Sequence, residues 1–156
     1  MRRDGGQVYQ DDNLAMVFDT FFDHHTAFYF MTNPLGALGD CQLGEAAGAT
    51  NCDYNSVWDV RTGRFEHGWT AEFKIPFKSL RYRPVKDQVW GINLRRVIRY
   101  RNETTFLIKM PIAFGAIAAK VVLTILPGPA MTTLGARSRL VRRIDERSNA
   151  MICSLF

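Results

Sequence analysis

The chain has 156 residues, of which 47% are hydrophobic and 22% are charged, a length and balance that suit a single domain with one core. Three cysteines are too few for a small disulfide-built scaffold, and 12 Gly and 6 Pro exclude collagen-like and low-complexity chains. The net charge of +5 lies in residues 107–156, with 7 Lys/Arg against 2 Asp/Glu, because residues 1–106 hold 13 of each. Since no aromatic residue stands among the arginines of residues 137–147, we expect no nucleic-acid partner.

The first predicted elements are two strands near the start of the chain. Residues 14–20 and 26–32 are short apolar runs rich in strand formers, with apolar residues on both faces. This pattern is typical of inner strands of a packed sheet, and the short spacing predicts an antiparallel hairpin. Residues 35–56 are rich in Gly, Ala, Asn and Asp and show no period, so we predict a long loop.

The clearest strand signal follows this loop. Apolar residues occupy every second position from Trp69 to Ile75, which is the pattern of a half-buried antiparallel strand, and Pro76 ends it. Residues 56–61 and 89–100 are predicted as further strands. Several strands without an amphipathic helix predict an all-β fold, an antiparallel β-sandwich, over residues 1–106.

The last fifty residues have a different character. We predict a basic tail over residues 107–156 that is poorly ordered or partly helical, with a basic helix over residues 140–151. The apolar run after Lys120 is broken by Pro127 and Pro129, which argues against a membrane span, and the charged start predicts no secretory signal peptide.

Several segments in the first 106 residues carry a family resemblance. In chain order they are Asp12–Phe21 with Asp23, Ala27–Phe30 with Asn33–Gly36 and Asp40, Val57–Val60, Gly68–Arg81, Trp90–Arg96, and Arg101–Glu103. Together they resemble the family 9 carbohydrate-binding domain, in the form found at the front of large bacterial surface proteins. The most specific part is Gly-Trp-x-x-Glu-x-x-Ile-Pro-Phe from Gly68, followed by Trp-Gly-x-Asn from Trp90.

The resemblance implies a jelly-roll or DOMON-like sandwich and a non-catalytic, sugar-binding role within a larger protein of carbohydrate catabolism. It implies a location outside the cytoplasm (periplasm, outer membrane or cell surface) and an outer-membrane β-barrel region of the parent protein as a partner. Domains of this family carry further strands upstream of residue 2, so we expect the sandwich to be incomplete and its end, after residue 106, to be atypical.

Sugar binding requires flat apolar rings edged by polar groups. The residues that we predict to supply them are Trp58, Trp69, Trp90, Asp59, Asn93 and Arg95. For each tryptophan the alternative is a place in the core, which we favour for Trp69 and leave evenly open for Trp58.

The resemblance also implies a structural calcium ion. Asp40, Asp53 and Asp59 flank the loop and are the candidate ligands, although no Asp-x-Asp-x-Asp-Gly motif is present and solvated acids are the favoured reading. The pairing of Cys41 with Cys52 in a disulfide is evenly balanced against reduced thiols.

Three other functions stay open at this point. The chain could belong to a glycoside hydrolase with Glu72 and Asp59 as its carboxylates, so whether it is an enzyme is undecided. It could be a structural module attached to a barrel. A zinc site or general base at His24, His25 and His67 is disfavoured, because adjacent histidines of a strand point to opposite faces and a turn explains them better.

Overall fold

The computed structural model describes residues 6–44, 50–85, 88–107, 123–125, 140–145 and 150–155. These residues form short 3-10 helices at Gly6–Tyr9, Phe77–Ser79 and Arg99–Arg101. Their strands are β1 (Asn13–Asp19), β2 (Ala27–Thr32), β3 (Gly39–Leu43), β4 (Thr50–Asn51), β5 (Asp59–Phe65), β6 (Gly68–Pro76), β7 (Gln88–Ile98), β8 (Glu103–Phe106), β9 (Leu123–Ile125), β10 (Leu140–Asp145) and β11 (Ala150–Leu155). Among these residues, no helix has the length and apolar character needed to cross a membrane.

The strands form two antiparallel sheets. Sheet one has the order β4-β3-β2-β1-β7-β8, and β9 also pairs with β7. Sheet two has the order β10-β11-β6-β5. The two sheets face each other across a shared core, so the prediction of an all-β antiparallel sandwich is confirmed.

The core between the sheets is strongly aromatic. Its buried residues from sheet one and its edges are Met16, Phe18, Phe28, Phe30, Leu80, Trp90, Ile92 and Leu94, and those facing them are Trp58, Ala71, Phe73, Ile75 and Met151. The alternation predicted for β6 is confirmed, since its inward positions are buried while Glu72 is exposed.

Sheet one is covered on its outer face as well. Val8, Ala15 and Met31 form a second buried cluster there, against which Tyr9 and Tyr29 pack. The N-terminal 3-10 helix therefore lies on the outside of β1 and β2. This second layer explains why both faces of the two strands are apolar, and the predicted hairpin of β1 and β2 is confirmed by their antiparallel register.

Two predictions about local structure are wrong. The predicted loop of residues 35–56 contains β3, which pairs with β2, and the short strand β4. The helix predicted over residues 140–151 is replaced by β10 and β11, and β11 pairs with β6 from Pro76 to Ala71. The reason is long-range: β6 would otherwise have an unpaired edge, and its buried backbone groups need hydrogen-bond partners.

The turn between β1 and β2 is organised by two carboxylates. Asp19, fully buried, accepts hydrogen bonds from the main-chain N–H groups of Asp23 (3.2 Å) and His24 (2.9 Å). Asp23 in turn accepts from the N–H groups of His25 and Thr26, both at 2.8 Å, and from the Thr26 hydroxyl at 2.7 Å. His24 and His25 are thus part of a tight turn, as the sequence favoured.

Asp23→Ala is expected to destabilise the protein by about 1 kcal/mol at neutral pH, because three turn donors lose their acceptor. Burial alone would raise the pKa of Asp23, but the hydrogen bonds from Thr26 and His25 outweigh it and lower the pKa below its ordinary value. The carboxylate therefore stabilises the fold above the ordinary aspartate pKa, and this contribution is lost as the pH falls through the lowered one.

Urea unfolding of wild type and variant at neutral pH and at about pH 2 checks this, since the stability difference should shrink toward zero in acid. Asp53→Ala is the control, because Asp53 is an exposed aspartate in another turn. A difference that is the same at both pH values would contradict the assignment.

Candidate functional site

Two of the three candidate tryptophans lie inside the core. Trp58 is 6% exposed and Trp90 is 1% exposed. The Trp58 ring stacks on Phe73 with centroids 5.7 Å apart and meets Phe30 edge-on at 5.3 Å. The Trp90 indole N–H donates to Gln88 Oε1 at 3.1 Å. In this structure neither ring has a face available for stacking on a saccharide.

The remaining sugar-site candidates lie on different surfaces. Trp69 is half-buried at the start of β6 and packs against the core, while Asp59 is exposed on β5 opposite Lys74. Asn93 and Arg95 lie together on the outer face of sheet one, where the Arg95 guanidinium carbon is 5.7 Å from the Tyr29 ring centroid. The structure therefore does not bring the six candidates together.

The three candidate calcium ligands lie in different environments, one of them buried and two exposed. Asp40 is fully buried, and its carboxylate accepts hydrogen bonds from Ser56 N (2.7 Å), Ser56 Oγ (2.9 Å) and Trp58 Nε1 (3.1 Å). Asp53 and Asp59 are exposed. Across the described residues, no group of three or more His, Cys, Asp or Glu side chains is placed to hold a metal ion.

The two carboxylates considered for hydrolysis lie on the open face of sheet two. Asp59 stands opposite Lys74, and Glu72 stands opposite Arg61, in the β5–β6 ladder. Cross-strand pairs of opposite charge stabilise a sheet. The charged residues of β5 and β6 are therefore explained by their position on a sheet face that is exposed to solvent.

A pocket of about 440 Å³ lies at the end of the sandwich where β1 begins and β2 and β7 end. Four chain segments line it: residues 10–12, residues 33–35, residue 64 and residues 99–100. Each segment is a turn or a strand end, and sandwiches present such segments together because antiparallel strands reverse there. None of the sugar-site candidates from the sequence lines this pocket.

Hydrogen bonds hold several of the polar groups of the pocket in place. Arg99 is the central residue, since its N–H donates to Asp12 Oδ1 at 2.5 Å and its Nη2 donates to the Tyr9 carbonyl at 2.8 Å. Asn33 Nδ2 donates to Asp11 Oδ2 at 3.4 Å. Arg64, by contrast, is exposed, and its guanidinium has no hydrogen-bond or ionic partner among the described residues.

The turn that carries Asn33 is well defined. Its side-chain oxygen accepts hydrogen bonds from the N–H groups of Leu35 and Ala37, both at 3.1 Å, and its carbonyl accepts from Gly36 N at 2.9 Å. Gly36 has a φ of 73°, a left-handed conformation that glycine adopts without strain. This turn leaves the Leu35 side chain 66% exposed at the pocket.

Tyr100 supplies an aromatic ring to the pocket and is 79% exposed. It lies in the 3-10 turn Arg99–Arg101, which Asn102 ends with a φ of 50° and an N–H bond to the Arg99 carbonyl at 2.9 Å. The Arg101 guanidinium carbon is 5.3 Å from the Tyr100 ring centroid, a cation–π contact that helps to hold the ring. An exposed, supported ring beside polar groups is a typical ligand platform.

Cys41 and Cys52 form the disulfide that the sequence left open. It joins β3 to the residue after β4 and closes this edge of sheet one. Disulfides are typical of proteins that function in oxidising compartments.

Part of the pocket lies in segments that the sequence had singled out. Asp12, Asn33 and the neighbour of Tyr100, Arg101, all stand in the segments that resemble the family 9 domain. Arg64 and Tyr100 had no such signal, because nothing local shows that the end of β5 and the turn that carries Tyr100 line the same pocket.

No family model matches the chain, and no curated protein or solved structure matches it at a significant level. The resemblance to the family 9 domain therefore stays a prediction.

Proposed function

We propose that the protein is a carbohydrate-binding β-sandwich module and that its binding site is the pocket around Tyr100. The observation that carries the proposal is the 79% exposed Tyr100 ring beside Asp11, Asn33 and Arg99. A saccharide offers C–H faces that stack on a ring and hydroxyl groups that need donors and acceptors at the ring's edge. The pocket supplies both within one hollow.

The charges and size of the pocket fit a neutral saccharide. Two carboxylates, Asp11 and Asp12, are balanced by two guanidinium groups, Arg64 and Arg99. Hydroxyl groups both donate and accept hydrogen bonds, so a set of mixed donors and acceptors suits them. The pocket is open to solvent along most of its lining, and its volume of about 440 Å³ lies within the range of small-molecule sites, roughly 300 to 1,000 Å³.

Binding without catalysis is the form of the proposal that the contacts favour. Hydrolysis of a glycosidic bond needs two carboxyl groups on either side of the scissile bond. Asp11 and Asp12 are consecutive residues on one wall, and Asp12 already accepts the Arg99 N–H. The Cys41–Cys52 disulfide supports a location outside the cytoplasm as part of the same proposal.

Tyr100→Ala is expected to weaken saccharide binding about tenfold or more, because aromatic anchors at binding sites commonly contribute 1 to 2 kcal/mol or more. Isothermal titration calorimetry against a panel of neutral oligosaccharides (cellohexaose, xylohexaose, laminarihexaose and mannohexaose) identifies a ligand and measures the loss. Arg64→Ala should weaken binding to a smaller degree without altering the melting temperature, since Arg64 has no partner among the described residues.

Phe106→Ala is the matched control, an exposed aromatic residue on β8 that does not line the pocket. It should leave the affinity unchanged. If the folded protein binds no saccharide of the panel, or if Tyr100→Ala binds as tightly as wild type, the proposal is wrong. A protein that is inert toward all of them would favour a structural module.

A further inference from the structure

The disulfide touches the residue that precedes the pocket wall. The Tyr9 hydroxyl lies 3.3 Å from Cys41 Sγ and 3.8 Å from Cys52 Sγ. A disulfide sulfur carries no hydrogen, so the hydroxyl donates to it. Tyr9 is the last residue of the N-terminal 3-10 helix, and residues 10–12 of the pocket follow it directly.

The main chain of Tyr9 connects this contact to the pocket. Its carbonyl accepts the hydrogen bond from Arg99 Nη2 at 2.8 Å, and the N–H of Arg99 is held by Asp12. Tyr9 therefore contacts the disulfide with its side chain and a pocket arginine with its backbone. A displacement of Tyr9 would move two parts of the pocket lining, residues 10–12 and Arg99.

The helix that carries Tyr9 depends on such tertiary contacts. It has four residues, and a 3-10 helix of this length has little stability of its own. Val8, which is 4% exposed in the outer cluster, provides one anchor. The Tyr9 hydroxyl against the disulfide provides a second one, at the end of the helix that is nearer to the pocket.

We propose that the Cys41–Cys52 disulfide positions the pocket through Tyr9, which makes Tyr9 a positioning residue. Its consequence for ligand affinity rests on the proposed function. When a dithiol reductant transfers two electrons and two protons to the disulfide, Cys41 and Cys52 become separate thiols and the reductant becomes a disulfide. The sulfur that accepts from the Tyr9 hydroxyl is then no longer held in place by the Cys41–Cys52 bond, so this contact weakens, and the wall of residues 10–12 loosens together with Arg99.

Hydrogen exchange of the full chain tests this without any ligand. In reduced protein, exchange in residues 8–13 and at Arg99 is expected to be about tenfold faster than in oxidised protein, because local opening controls the rate. The turn of residues 19–26 is the internal control, since it lies at the other end of β1 and should not change. Unchanged exchange at Arg99 after reduction would overturn the proposal.

Tyr9→Phe in the oxidised protein separates the role of the hydroxyl from general loss of the disulfide. It should accelerate hydrogen exchange at Arg99 in the oxidised protein. Reducing the disulfide of this variant should then add little to the exchange rate at Arg99, because both changes disturb the same contact. Tyr54→Phe is the matched control, since it also deletes one hydroxyl hydrogen bond, to the Ser79 carbonyl at 2.6 Å. Fully additive effects of Tyr9→Phe and reduction at Arg99 would contradict the coupling.

Calorimetry with the oligosaccharide that binds most tightly tests whether the contact between Tyr9 and the disulfide affects ligand affinity. Tyr9→Phe should weaken affinity about threefold, the size of one modest hydrogen bond, while Tyr54→Phe leaves it unchanged. Unchanged affinity in Tyr9→Phe would overturn the positioning role. If no oligosaccharide binds the oxidised protein, the proposed function fails, and the exchange experiment still decides whether the disulfide orders this wall.

Discussion

Asp40→Ala is expected to lower the free energy of unfolding by about 3 to 5 kcal/mol, because three donors lose a buried acceptor and each such loss costs roughly 1 to 3 kcal/mol. The carboxylate is fully buried and accepts hydrogen bonds from Ser56 N, Ser56 Oγ and Trp58 Nε1. Its removal leaves these donors without that acceptor in the interior. Urea denaturation monitored by Trp fluorescence and by circular dichroism measures the loss.

Asp59→Ala is the matched control for this prediction. Asp59 is an exposed aspartate on β5, and substitutions at such surface positions usually change stability by no more than about 0.5 kcal/mol. The loss of stability in Asp40→Asn should lie between those of Asp40→Ala and Asp59→Ala, because the amide keeps one acceptor oxygen. Equal stability of Asp40→Ala and Asp59→Ala would show that the buried hydrogen bonds do not hold the segment before β5 in place.

Trp58→Ala is expected to destabilise the sandwich by about 3 to 5 kcal/mol, the usual cost of removing a buried aromatic side chain. The ring fills the space between the two sheets, stacked on Phe73 and edge-on to Phe30. Trp58→Phe keeps part of that packing but loses the indole N–H bond to Asp40, so a loss of about 2 kcal/mol is expected.

Saccharide affinity distinguishes this core role from the stacking role that the sequence left open. Trp58→Phe, measured by calorimetry under conditions where the variant is folded, should bind as wild type does. A large loss of affinity with normal stability would place Trp58 in the binding site instead. Trp69→Phe serves as a comparison at a half-buried tryptophan, where a smaller change in stability is expected.

Local patterns were sufficient for the inner strands. Alternation from Trp69 to Ile75 predicted β6, and the two apolar runs predicted β1 and β2 with their pairing. These features depend on residues that are near one another in sequence, so period and strand propensity reveal them. The fold class followed because several such strands must bury their apolar faces against one another.

Long-range pairing was not visible in the sequence. The strands β10 and β11 form because β6 offers an unpaired edge to β11 and β11 then pairs with β10, not because their own composition requires it. In the same way, β3 lies within a segment that is rich in loop-forming residues, and its pairing with β2 and its disulfide compensate for that composition. Propensity is a weak guide where tertiary contacts supply the stability.

The candidate site was misplaced for a related reason. A tryptophan beside a polar residue in sequence is typical of a stacking platform, but it is equally typical of a core residue. Trp58 is of the second kind, since its indole N–H donates to Asp40, which is distant in sequence. The pocket, in turn, is assembled from four segments that are distant in sequence. Sequence resemblance marked Asp12 and Asn33 but gave no means of recognising that Tyr100 stands beside them.

The most direct measurement of the central claim is an NMR titration of the isotope-labelled, oxidised chain with the oligosaccharide panel. We expect shift changes that saturate with ligand and cluster at Tyr100, Arg99, Arg64 and Leu35, with no changes at the indole N–H groups of Trp58 and Trp90. Shifts that cluster instead on the outer face of sheet one at Asn93 and Arg95, or no shifts with any oligosaccharide, would contradict it.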